Sequence, residues 1–242
     1  RYSFGMVLIV IGSTCAAQKH VEHQQLVWYA YFNTIRFDTT WSLITEIQER
    51  HFVNPNAPHQ FLIRSQLRRK LGAGWDVAAG MCIFYQHSND PESDNDLVVP
   101  ELRPHLEFNL RQKIQSFRIE QRYKVEARFF HNTNTTHMDL EEGYTYGTLR
   151  FRYWLQLIIP LVKFNEKQNL SLKAGDEILL NVGKKIVNNV FDQNRLFASL
   201  IMAFTPSFSL EAGYMNGFQQ QSSGDDYYNR DILRLSLHQV IQ

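Results

Sequence analysis

Between Ser116 and Ile159 the chain alternates apolar and charged residues almost without error. Phe117, Ile119, Tyr123, Val125, Ala127 and Phe129 interleave with Arg118, Glu120, Arg122, Lys124, Glu126 and Arg128, and Gln121 is the one break in the apolar row. A period of two means a strand with one apolar face and one charged face. After a polar loop, Leu149, Phe151, Tyr153, Leu155, Leu157 and Ile159 form a second unbroken row, with Arg150, Arg152 and Gln156 on the other side. Two such strands alone would also fit a soluble sandwich with its apolar rows packed into a core. Strands of the same length and composition recur along the whole chain, however, and they follow a leader-like start. That combination selects an all-β fold, a closed antiparallel up-and-down transmembrane β-barrel with apolar rows toward lipid and charges in the lumen.

The first seventeen residues have a basic start at Arg1, an apolar stretch from Met6 to Ile11, and small residues at Gly12, Ser13, Ala16 and Ala17. This is the layout of a signal peptide cleaved after Ala17, and it leaves residues 18–242 as one barrel domain. The strand from Gln25 to Ile35 is rich in aromatics; the next places Trp41, Leu43 and Ile47 opposite Glu46, Gln48 and Arg50. Phe61, Ile63 and Leu67 oppose Arg64, Gln66 and Arg68, and the strand from Trp75 to Tyr85 keeps small residues on its second face. Leu102, Leu106, Phe108 and Leu110 alternate with Arg103, His105, Glu107 and Arg111, and Pro104 marks a bulge in that row. Further strands are expected over Leu170–Val182, Arg195–Phe204, Phe208–Phe218 and Asp231–Val240, the last with Arg234, Ser236 and His238 on its polar side.

This gives about eleven candidate strands, each near the roughly 9–11 residues that a tilted strand needs to cross hydrocarbon. Bacterial single-chain barrels have even strand numbers. The expectation is therefore ten or twelve strands, with a missed or merged element near residues 18–35. The chain contains no apolar run long enough for a helical span, and a spanning chain without one must close its backbone hydrogen bonds in a barrel.

Charge and composition restrict function more than they identify it. With 25 basic and 24 acidic residues the net charge is +1, so no global field draws nucleic acid, and the charges are read as locally paired. The 13 % aromatic content suits girdles at a membrane interface. Cys15 falls in the leader and Cys82 in a strand, which predicts no disulfide and no cysteine metal site. No Walker loop, zinc spacing, calcium loop or dinucleotide fingerprint is present, and no cofactor is expected.

The candidate functional feature is the charged face itself. Glu46, Arg50, Arg64, Arg68, Arg103, Glu107, Arg111, Arg118, Glu120, Arg122, Lys124, Glu126, Arg128, Arg150, Arg152 and Arg234 would crowd one lumen. In a barrel of ten to twelve strands that is too much side chain for a wide channel. The lumen is then either an ion-paired plug that holds the wall together or a narrow path for anionic solutes. Two alternatives have other signatures. A lipid-modifying hydrolase needs a serine and a histidine in contact, and neither His87-Ser88 nor Ser236 with His238 has that geometry. A soluble periplasmic β-barrel or sandwich binder would bury its apolar rows. The expected partners are outer-membrane lipid and the outer-membrane assembly machinery, with the barrel itself a monomer.

The order of short motifs resembles an uncharacterised family of Gram-negative outer-membrane proteins, labelled domain of unknown function 2490. The similarity runs through Trp28-Tyr29, the Trp-led strand from Trp41 to Arg50, Glu101-Leu102-Arg103, Arg118 to Arg122, Arg150-Phe151-Arg152-Tyr153 and Asn194-Arg195. The departure is at the end: such barrels commonly finish on an aromatic, and this sequence finishes Val240-Ile241-Gln242. The resemblance implies a β-barrel in the outer membrane and supplies no activity.

Overall fold

The computed structural model describes residues 20–183, 186 and 189–241, so the leader expected over residues 1–17 lies outside the described residues. Among these there are eleven strands: β1 (Val21–Arg36), β2 (Trp41–Phe52), β3 (Pro58–Gly72), β4 (Trp75–Gln86), β5 (Val99–Ile114), β6 (Phe117–Thr133), β7 (Leu140–Lys163), β8 (Asn169–Val182), β9 (Phe191–Thr205), β10 (Phe208–Gln220) and β11 (Tyr227–Ile241). Each pairs antiparallel with its neighbours in sequence, and the sheet closes by pairing β1 with β11. A β-sandwich is thereby excluded, because no open edge remains.

The closing pair is parallel, with Val21 beside Tyr227 and Ile35 beside Ile241. This corrects the expectation of an even strand number. In an up-and-down chain with an odd number of strands, the first and last run the same way, so closure has to be parallel. β1 is also one continuous strand where a missed or merged element was expected. It pairs with β11 from Val21 to Ile35 through one edge and with β2 from Leu26 to Arg36 through the other.

Connections sort by end of the barrel. The β3–β4, β5–β6 and β9–β10 turns have two residues each and lie at one rim with the β1–β2 and β7–β8 turns. The other rim carries the longer connections, above all residues 87–98 between β4 and β5. In the β1–β2 turn, the Asp38 carboxylate accepts from the amides of Trp41 (2.7 Å) and Thr40 (2.6 Å), which hold its pKa below the usual carboxylate range. Pro104 falls on the outward parity of β5, and the β5–β6 pairing is interrupted there between Leu102–Phe129 and His105–Glu126 without a change of register, so the bulge expected at Pro104 is a gap in the ladder and not a shift. Proline has no N–H to donate at that step.

The alternation written in the sequence becomes an outside and an inside. Leu233, Leu235 and Leu237 of β11, Leu196 and Leu200 of β9, Phe151 and Leu155 of β7 and Leu106 and Phe108 of β5 are all exposed on the outer wall. Their sequence neighbours Arg234, Ser236, Ser199, Arg150, Arg152, His105 and Glu107 are buried inside. Aromatics mark both ends of the outer band. Phe204 packs near Phe208 (5.9 Å between centroids) at the short-turn end, and Phe61–Tyr85 (6.1 Å) and Phe129–Tyr146 (5.5 Å) lie toward the other. On β4, Trp75 and Tyr85 are ten residues apart. That is about 33 Å along a strand, and a tilt of roughly 40° reduces it to about 25 Å of height.

The β3–β4 turn depends on its glycines. Gly74 has φ +85°, and a Cβ there would sit 2.3 Å from the Arg111 carbonyl oxygen, the atom's own strand being bonded to Gly74 through the Arg111 amide. Gly74→Ala is expected to cost roughly 1–3 kcal/mol, read as a lower urea midpoint. Gly72→Ala, where φ is +95° but nothing lies within 4 Å, should cost less.

Candidate functional site

The barrel interior is filled in three ways along its height. At the long-loop mouth, the β4–β5 connection turns inward and Asn89 acts as a stopper. Its carbonyl oxygen accepts from Gln24 Nε2 (2.9 Å), and its side-chain oxygen accepts from Arg230 Nη2 (3.2 Å) and faces His59 Nε2 (3.1 Å). His59 and Arg230 are almost wholly buried. Just below, Leu26, Trp28, Phe52, Phe197, Met215 and Ile232 pack together on the β1, β2 and β9–β11 side. This inward apolar cluster fills part of the bore that charge alone would leave open.

The opposite wall is an ion-pair network organised by strand register. Glu46 lies directly across from Arg64 (2.5 Å), Glu107 across from Lys124 (3.7 Å) and Glu177 across from Arg195 (3.3 Å). Facing residues on one side of a sheet are close enough to interact, so register dictates these pairs. Other carboxylates collect several cations. Glu101 accepts from Arg103 (2.6 Å) and Arg128 (2.5 Å), and Glu126 from Arg152 (3.1 Å) with Lys124 Nζ at 3.4 Å. Glu177, fully buried, accepts from Arg122 (2.9 Å), Arg152 (2.7 Å) and Arg195. Arg150 pairs with Asp192 (3.1 Å).

Toward the short-turn rim, Asp76 receives Arg111 in a short contact and Arg68 at 3.3 Å, and Arg68 lies 3.9 Å from Glu107. Glu211 binds Lys173 in another short contact and accepts from Ser199 Oγ (2.8 Å). Glu120 accepts from Gln156 (2.6 Å) and pairs with Arg118 (2.6 Å). Arg118 differs from the others: its side chain is 51 % exposed. It stands one residue past the start of β6 and at the rim, so the inward side of the strand there already meets solvent.

Two residues of the site sit in the inner row at positions where charge was the signal followed. Trp154 packs on Phe197 (4.8 Å), and the Arg122 guanidinium lies 4.4 Å from its ring. Trp28 is 5 % exposed, with Arg50 3.8 Å and Arg195 5.4 Å from its ring. Parity along β1 and β7 would have placed both indoles inside.

Among the described residues, two adjoining spaces lie in the bore. A vestibule of about 310 Å³, bordered by Arg111, Glu120 and His238, opens at the short-turn rim. A smaller cavity of about 80 Å³ continues inward and shares Phe32, Glu46, Arg64, Arg122, Trp154 and Arg234 with it. Beyond it the bore is filled by the apolar cluster, Arg230 and His59.

The serine and histidine pairs do not form a nucleophilic site. Ser88 Oγ accepts from the Asp90 amide (3.1 Å), and His238 stacks on Phe32 (4.7 Å) with Nε2 3.3 Å from Glu211. Ser236 is buried in the inner row, away from the outer wall where a lipid ester would lie.

A family model described as "Protein of unknown function (DUF2490)" matches residues 25–228. No curated protein and no solved structure matches the chain. The match takes in every strand from within β1 to the start of β11, and so the charged inner positions described above except Arg230 and Arg234 of β11. A closed eleven-stranded barrel with a charged interior is thus the form taken by this chain, which belongs to the DUF2490 family.

Proposed function

We propose that this chain is an integral outer-membrane β-barrel, a monomer inserted by the outer-membrane assembly machinery, and that its interior is a blind vestibule and not a through-pore. One observation carries the membrane reading: around the closed wall, large apolar side chains on every strand point outward and stay exposed, while most of the arginines and glutamates that alternate with them are enclosed. Exposed apolar area on this scale is far beyond what a soluble monomer presents, and its height of about 25 Å matches the band of a bacterial barrel. The vestibule would face the periplasm, since short turns lie on that side in such proteins and long connections on the other.

The blind interior follows from the fillings described above. Among the described residues the vestibule and the inner cavity lie below the Arg230–His59 level, and the Asn89 stopper above them is bonded to β1, β3 and β11 at once. The expected result in cell fractionation is recovery with the outer membrane and a heat-modifiable band on electrophoresis. Recovery in the soluble periplasm would refute the location. In planar bilayers the purified barrel is expected to give no steady current with small anions, and an anion-selective conductance would overturn the blind interior while leaving the location intact.

A further inference from the structure

The structure assigns to the small inner cavity a binding site for a compact oxyanion, the carboxylate or phosphate group of a small solute entering from the vestibule. Eight arginines line this space of about 80 Å³, and Glu46 is the one carboxylate among its lining residues. Glu46 is already committed to Arg64 and to Gln48. The volume corresponds to between two and three waters at about 30 Å³ each, the scale of one small oxyanion and not of a whole metabolite. The rest of such a molecule would lie in the vestibule, which is about 310 Å³.

What points to an occupant is the set of donors with no protein acceptor. Trp28 Nε1 and the Nε atoms of Arg64, Arg103, Arg122 and Arg195 are buried and unpartnered among the described residues, and all five residues line this one cavity. Native interiors leave few such groups, so five around one space ask for a common acceptor. The carboxylates Glu101 and Glu177 hold the outer edges of Arg103, Arg122 and Arg195. These guanidinium groups are therefore fixed in place before any ligand arrives.

Two further arginines have charge to spare. Arg50 donates only to the amide oxygens of Gln48 and Gln60, and it stacks on Trp28. Arg234, 8 % exposed, makes no hydrogen bond or ion pair among the described residues and borders both the cavity and the vestibule. A guanidinium presents paired N–H groups that match carboxylate or phosphate oxygens. Arg234 stands where an entering anion would pass from the wide space to the narrow one. The assignment depends on the folded interior and not on the membrane in which the barrel sits.

The test uses the full chain refolded in detergent, with folding checked by heat-modifiable migration. It is titrated with sodium phosphate and separately with sodium acetate, at ionic strength held constant with sodium chloride, while tryptophan fluorescence and heat are recorded. A saturable response to at least one of the two is expected, since two of the four tryptophans, Trp28 and Trp154, line the cavity. The stronger of the two distinguishes a planar from a tetrahedral head. Arg234→Gln should weaken binding tenfold or more with unchanged migration, because that side chain holds no other part of the wall. Arg69→Gln, which removes a cation stacked on Trp41 away from the cavity, should leave it unchanged. Linear, chloride-like titrations with both anions overturn the site, as does binding indifferent to both Arg234→Gln and Arg50→Gln. If Arg234→Gln fails to fold, Arg50→Gln decides alone. Failure here leaves the fractionation result untouched.

Discussion

Glu177→Ala is expected to lower the unfolding free energy of the barrel by about 3–5 kcal/mol, the usual cost of removing one partner from a buried charge pair. Glu177 is fully buried and is the shared acceptor for Arg122, Arg152 and Arg195, which come from β6, β7 and β9 while Glu177 itself is on β8. Alanine would leave three guanidinium groups facing one another beside a cavity already lined by arginine. The intact pair need not stabilise the fold relative to apolar side chains. The large effect comes from stranding the cations. Glu177→Gln keeps the shape and one oxygen, so it should cost less than alanine. Arg118→Ala, at the exposed rim pair with Glu120, should cost no more than about 1 kcal/mol because solvent screens it. Equilibrium urea unfolding of the refolded barrel, followed by tryptophan fluorescence, gives all three. A Glu177→Ala loss as small as that of Arg118→Ala would show that water reaches the middle of the network.

The residues that set this network differ in how visible they are in the chain. Which face a residue occupies is legible, since a strand repeats every two residues and the row Phe117 to Phe129 keeps that period with Gln121 as its one break. Which residue it meets across the ladder is not legible. Glu177 meeting Arg152 and Arg195 depends on the stagger between β7, β8 and β9, and neither a hydrophobic row nor a charge count encodes stagger. Height is equally hidden. Arg118 and Arg122 share a face, yet one is at the rim and the other deep, because the distance from a turn to the water line is a property of the closed barrel.

The parallel seam was missed for a different reason. Parity rules describe barrels whose ends meet antiparallel, while the β1–β11 pairing joins residues about two hundred positions apart that carry no local mark of direction. The same holds for the oxyanion cavity. Seven of its eight arginines were visible as lumen charges, but Arg195 was read as the start of a strand and not as a lumen charge, and Trp28 and Trp154 look like two more apolar residues until parity is read strictly through β1 and β7. The Asn89 stopper lies in a loop whose composition says only that it is polar.

The outer wall offers the second large effect, and its sign separates the two media that the wall could touch. Leu235 lies between Leu233 and Leu237 on β11, all three exposed, and pairs with Tyr29 and Ala212 on the flanking strands. If hydrocarbon surrounds it, Leu235→Arg places an unpaired charge near mid-height and should cost about 2–4 kcal/mol in lipid vesicles. Phe208→Arg, at the first position of β10 beside the short-turn rim, should cost no more than about 1 kcal/mol, since the penalty fades toward the interface. If water surrounded the wall, both changes would replace exposed oil with charge, and both would leave stability unchanged while improving solubility. Urea unfolding of the two variants in vesicles therefore reads a depth profile that an aqueous barrel cannot produce. Arg234, one residue from Leu235, sets the scale of the contrast: the same guanidinium is native on the inner face, and one step along the strand turns it to the outer wall.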